Sequence, residues 1–237
     1  MELLLQALSW LFSPERLTGF YPLPQLVAEH LWYTAISVVI AAVIAIPAGW
    51  AIGHTGRGRE LAVALSGAAR ALPSFGLILL LVLLIGVTRK PEAAVLTFVL
   101  LAIPSILAGA YAGFEAIDRR IPDAARGVGM TGWQVLWRVE VPLGLPLLIG
   151  GLRAAALQVV ATVTLAAYVD LGGLGLPIIQ GLALRRFDQM LGAALVIIAL
   201  ALLIDAAFAV LQRLAVPRGV TAHRGRAPRP EPATAHG

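Results

Sequence analysis

The 237-residue sequence contains no cysteine, which excludes disulfide frameworks, Cys-ligated zinc, iron–sulfur clusters and thiol catalysis. Charge is also scarce: 13% of residues are charged, against about 25% in a typical globular chain. Lysine is nearly missing, with Lys90 alone beside seventeen arginines. The net charge of +5 is concentrated in short loops and at the chain's end, which suits a membrane surface rather than nucleic acid. Histidines are few and scattered. His30 and His54 stand at opposite ends of one apolar run, and His223 and His236 lie near the end of the sequence, so neither pair makes a metal site unaided. Phosphate-binding loops are missing too. Asp170-Leu-Gly-Gly-Leu-Gly-Leu-Pro177 is glycine-rich, but no strand precedes it and its spacing fits neither nucleotide-binding pattern. A tight turn or re-entrant loop is the better reading of Gly172, Gly173 and Gly175.

What the sequence has is apolar length. Hydrophobic residues make up 59% and the mean hydropathy is +0.87, more apolar surface than a soluble fold of this size can hide. The expected class is an all-α polytopic membrane protein. A helix needs about 20 apolar residues to cross a bilayer, and five runs come near that: 31–52, 65–87, 93–114, 143–169 and 191–211. The run 3–12 is too short. Together with the rest of 1–29 it reads as an extracytoplasmic interfacial segment, with Trp10 and Phe12 at headgroup level. Residues 215–237, rich in Pro, Arg, Ala and His, read as a disordered basic tail on anionic lipid.

Five spans put the termini on opposite sides. Loops 53–60 and 118–142 and the tail carry eleven arginines, against five basic residues on the other side. The positive-inside rule then puts the C-terminus in the cytoplasm and the N-terminus outside, in a cell (inner) membrane. Pro47, Pro73 and Pro104 fall inside spans and are candidate kinks. Arg153 and Asp205 are the two charges inside spans, and such charges need a partner or a water-filled path. Counted from the cytoplasmic face, their depths differ by roughly 6 Å at 1.5 Å per residue, so a structural pair is within reach.

Ile121 to Pro146 is longer than a connection requires. Pro122 is placed to open a short helix, Asp123 suits the positive end of its dipole, Ala124 and Ala125 keep one side slim, and Gly127 and Gly129 permit a turn and close contact. Trp133, Leu136 and Trp137 fall at i, i+3 and i+4, an apolar stripe on a second short helix, and Pro142 and Pro146 restart the chain into the next span. On these grounds an amphipathic hairpin lying on lipid and a docking element are both open.

The same stretch resembles the cytoplasmic signature E-A-A-x-x-x-G-x(9)-I-x-L-P of permease subunits of binding-protein-dependent ABC importers. Asp123-Ala124-Ala125 stands for E-A-A, Gly129 follows in register, and Val139-x-Val141-Pro142 closes the pattern. Between about His30 and Leu214 further segments resemble the osmoprotectant branch, the glycine betaine, carnitine and choline importers. They are Arg70-Ala-Leu-Pro73-Ser74, Ala102-Ile-Pro104-Ser105-Ile106, Tyr111-Ala-Gly113, Ala124-Ala-Arg-Gly-Val-Gly-Met130 and Gly172-Gly-Leu-Gly175. Gly109-Ala110 and Asp170-Leu171 depart from that branch.

The resemblance implies a five-span type I importer core of the MetI-like kind over 30–214, with the coupling element at 121–142. By its implication Asp123, Ala124, Ala125 and Gly129, with Trp133 nearby and Pro142 at the membrane return, dock on a cytoplasmic ABC ATPase. It further implies a second permease subunit, identical or paralogous, and an extracytoplasmic substrate-binding protein. This chain would carry no cofactor and no catalytic residue, ATP and Mg being held by the ATPase. Three other readings compete. An amino-acid or metal-chelate importer would share the core. An ATP-independent carrier would bring inverted repeats and charges near the midplane, and it leaves 121–142 without a role. A membrane enzyme would bring clustered His, Asp or Glu.

Overall fold

The computed structural model describes residues 1–216, so the disordered tail expected at 215–237 lies outside the described residues from 217 on. Within them every regular element is helical. Two short helices open the chain, α1 (Glu2–Leu11) and α2 (Glu15–Thr18), followed by α3 (Leu23–Thr55). Next come α4 (Arg59–Ala71), α5 (Ser74–Ile85) and α6 (Lys90–Glu115), then α7 (Arg120–Gly127) and α8 (Gly132–Val135). Finally α9 (Val141–Val163), α10 (Gly175–Leu184) and α11 (Phe187–Leu214) complete the bundle. A π-helical segment, Leu136–Glu140, joins α8 to α9, and a 3-10 turn, Thr164–Val169, ends α9.

Among the described residues four continuous helices are long and apolar enough to cross a membrane: Leu23–Thr55, Val87–Glu115, Gly132–Val169 and Phe187–Leu214. The expected second span, 65–87, is not one helix but α4 and α5, separated at Leu72-Pro73. Pro73 therefore caps α5 instead of kinking a helix: with no N–H to give, it forces the preceding residue toward extended backbone, and Leu72 has ψ 128°. Pro47 and Pro104 do lie inside helices, α3 and α6.

Small residues decide which faces meet. On α3 the buried positions are Leu26, His30, Thr34, Ser37, Ala41, Ala45 and Gly49, three or four apart, a single ladder. Toward its end it faces α6, where a Cβ at Gly49 would stand 2.4 Å from Ala110 Cβ, and nearer its start His30 meets α9 at Val160 O. α6 meets α9 through glycine against glycine: a Cβ at Gly109 would lie 2.8 Å from Gly151 Cα, and one at Gly113 would lie 2.7 Å from Gly144 O. Apolar side chains gain little by leaving lipid for protein, so such close backbone approach, with its dispersion contacts, holds membrane helices together. Phe98, Ile78, Ile106, Val159 and Val163 fill the core around this crossing. The departure Gly109-Ala110 thus sits in helix packing, where Ala110 is buried.

α1 packs on the first half of α11. Trp10 is buried, and a Cβ at Gly192 would lie 2.5 Å from its ring, while Phe12 stays exposed. Only Phe12 has the exposed aromatic ring expected of both residues. α3 begins at Leu23, inside the stretch 1–29 assigned to the interfacial segment.

Candidate functional site

Three places hold the residues singled out by sequence. The first is the segment between α6 and α9. α7 starts two residues earlier than Pro122 suggests, because Asp118 Oδ1 accepts from the Arg120 N–H at 3.0 Å. Proline is tolerated there, since first-turn N–H groups have no partner within the helix. Asp123 is exposed and accepts from Arg126 Nη1 at 3.2 Å. No residue of α7 is buried, Ala124 is exposed and Val128 is 82% exposed. The helix ends on Gly129 at φ 91°, with the Met130 N–H donating to Ala125 O at 3.1 Å. That left-handed position suits glycine. A Cβ at Gly127 or Gly129 would meet nothing within 4 Å, so neither makes a close contact within this chain.

Beyond the turn a capping box starts α8: Gln134 N–H donates to Thr131 Oγ1, and Thr131 N–H to Gln134 Oε1. Trp133 is exposed and stands edge-on to Trp137, 5.5 Å between ring centroids. Pro142 does not restart the chain after a break as expected. The helix runs from Gly132 to Val169 without interruption, because Pro142 falls in the first turn of α9, directly after the π segment.

The second place lies between α9 and α11. Arg153 Nε donates to Asp205 Oδ1 and Nη2 to Oδ2, both at 2.6 Å, a two-pronged pair joining α9 to α11. Seven residues earlier on α9 and seven later on α11, Gln212 Nε2 donates to Pro146 O at 2.9 Å, so the two helices run antiparallel.

The third is the glycine turn after α9. Gly172 and Gly173 have φ 73° and 70°, and a Cβ on Gly175 would stand 2.0 Å from Thr164 O. Glu29 of α3 closes this turn, accepting from the Gly173 N–H at 2.9 Å. The next residue of α3, His30, is fully buried and its Nε2 donates to Val160 O at 2.9 Å. Asp170 is exposed, with a carboxylate oxygen 3.6 Å from Lys90 Nζ.

Sequence reasoning missed Glu29, His54 and Glu140. Glu140 is the unassigned position in Val139-x-Val141-Pro142, and it lies buried against His54. An acidic residue in an otherwise apolar stretch was the available signal, but its partner lies 86 residues away.

Comparison with known proteins agrees with this geometry. Residues 41–219 match the family described as binding-protein-dependent transport system inner membrane component. The glycine betaine/carnitine/choline transport system permease protein OpuCB of Bacillus subtilis (strain 168) is 31% identical over 192 residues, 81% of this chain and 88% of that protein. The osmoprotectant import permease protein OsmW of Salmonella typhimurium is 33% identical over 204 residues, 84% of this chain and 94% of that one. Among solved structures, the MetNI methionine ABC transporter in an inward facing conformation superposes with a TM-score of 0.71 over 82% of this chain and 96% of that chain. At 21% identity that likeness is one of fold. The chain belongs to the binding-protein-dependent transport system inner membrane component family.

Proposed function

From that membership we propose that this chain is the permease half of an ATP-driven importer of a compatible solute of the glycine betaine, choline or carnitine kind. The names carried by its relatives at 31% and 33% identity support the solute class. The observation that carries the mechanism is α7, a helix outside the spans with no buried residue, whose slim Ala124 and Val128 surface is left uncovered by its own chain. In this reading that surface enters a groove on a cytoplasmic ABC ATPase, which holds ATP and Mg. Asp123, Ala124, Ala125 and Gly129 form the contact, with Trp133 nearby and Pro142 at the membrane return.

The remaining assignments follow. The α7 end is cytoplasmic, as the arginine count suggests, and the Gly172–Gly175 turn faces outward, where a binding protein delivers the solute. A second permease subunit completes the path. ATPase closure moves α7, and the helices continuous with it, as a rigid body, so that access alternates between the two sides.

The test is purification of the tagged chain from its own membranes in mild detergent, with mass spectrometry of what accompanies it. A soluble polypeptide with a Walker A loop should co-purify and be lost on deleting 121–142. Ala124→Trp, which adds bulk outside the bilayer, should leave the chain in the membrane but lower ATPase recovery at least about tenfold. A chain that purifies alone and moves solute into liposomes without ATP overturns the proposal.

A further inference from the structure

α7 joins the bundle covalently through the chain on either side, toward α6 and toward α8. A third attachment is made by side chains. His54, in the last turn of α3, donates from Nδ1 to Glu140 Oε2 at 2.5 Å. Glu140 is the last residue of the π segment and 7% exposed. A carboxylate this buried needs a hydrogen-bonded partner, and His54 supplies it. The other ring nitrogen of His54 faces Gly132, where a Cβ would lie 4.0 Å from Nε2. One imidazole is therefore bonded to the end of the π turn and lies beside the start of α8.

A second contact lies beside the first. Trp50 is four residues before His54, and Trp137 is three before Glu140, so each pair shares a helix face. The two indoles meet edge to face at 5.5 Å, and Trp50 also stacks on Phe114 of α6 at 6.2 Å. Behind the joint lies a cavity of about 630 Å³. His54 and Glu140 line it together with Arg59, Glu115, Asp123 and Arg126. It lies between the joint and α7, whose Asp123 and Arg126 face the same cavity. The segment ending at Glu140 has π geometry, an extra residue in one turn, a feature concentrated at functional positions in helices.

We propose that His54 and Glu140, braced by Trp50 and Trp137, are positioning residues for transport. They carry movement of the α7–α8 element into α3, so that the first long helix moves with α9 when the ATPase closes. This rests on the permease reading above. Without the joint, the ATPase would still bind and cycle, but α3 would stay behind.

The test uses the whole reconstituted complex, with ATP hydrolysis and uptake of radiolabelled choline or glycine betaine measured in the same proteoliposomes. His54→Ala and Glu140→Ala should each keep the ATPase in the complex and hydrolysing, while solute moved per ATP falls about tenfold. The double variant should fall no further than either single one, because both break one contact. Since the chain has no cysteine of its own, His54→Cys with Glu140→Cys gives an addressable pair. Bridging it with a short bismaleimide should restore most of the lost coupling, a recovery that a fold defect would not show. Wild-type transport per ATP in both single variants overturns the proposal, as does a bridged pair that stays uncoupled. If the wild-type complex takes up neither solute, or takes it up without ATP, the permease reading itself fails, and that result is distinct.

Discussion

α6 and α11 are both long apolar helices, of 26 and 28 residues, yet they stand in opposite surroundings. In the most apolar stretch of the span containing α6, 61% of residues are buried, against 6% for α11, although α11 is the more apolar. In a bilayer this is the expected order. Lipid accommodates leucine as well as protein does, so hydropathy says that a helix enters the membrane and leaves its neighbours open. Small residues choose the neighbours. α6 offers Ala93, Ala94, Ala102, Gly109, Ala110 and Gly113 to α3, α5 and α9. α11 buries Gln189, Gly192 and Ala193 near its start and leaves Ile198, Leu202, Leu203 and Val210 exposed. Beyond its first turns, side-chain bonds to α9 at Asp205 and Gln212 hold it.

The largest effect should come from filling the α6 crossing. In Gly109→Leu the new Cβ would stand 2.8 Å from both Gly151 Cα and Leu147 O, backbone atoms that cannot turn aside. The helices must separate, at a cost of about 3 kcal/mol or more. Denaturation in mixed micelles should show it, and Gly151→Leu should do the same damage at the same contact. Native stability in either variant would mean that α6 and α9 are not held by close approach.

A smaller loss is expected where α11 is pinned. Arg153→Ala leaves Asp205 without its donor on an apolar helix, so the thermal midpoint in detergent should fall. Asp205→Ala in that background should recover part of the fall, because the remaining charge is gone. Equal midpoints for single and double variants would mean that the pair adds nothing to holding α11. The pair is one contact between two side chains about one third exposed, 33% and 32%, whereas filling the glycine crossing pushes two backbones apart, so the loss here should be the smaller.

These two contrasts also mark what the sequence made legible. Apolar runs located α3, α6, α9 and α11, since chain-local length is all that a bilayer asks. The rise per residue put Arg153 and Asp205 within reach of one another. The α7 segment stood out because its signature is contiguous. Leu72-Pro73 was visible as a proline but not as a break, because apolar residues continue on both sides and only backbone geometry separates α4 from α5. The π turn before α9 has no composition of its own. Glu29 with Gly173 and His54 with Glu140 lie 144 and 86 residues apart, and each pairing depends on how α3 folds back along α9.

The smallest effect separates the two meanings of α11's bare face. Leu202 and Leu203 are 65% and 69% exposed, so Leu202→Ala with Leu203→Ala removes no contact within this chain. Its unfolding free energy should move by no more than about 0.5 kcal/mol, close to the limit of measurement. The informative reading is the mass of the detergent-solubilised complex across a dilution series. If lipid covers this face, the complex falls apart at the same concentration as wild type, since one apolar surface has replaced another. If the second permease covers it, the truncated side chains leave gaps that lipid cannot enter, and dissociation moves to higher concentration with the chain's own stability unchanged. In that case α6 and α11 would differ less than they look: each would be packed, α6 within its chain and α11 only once the assembly forms.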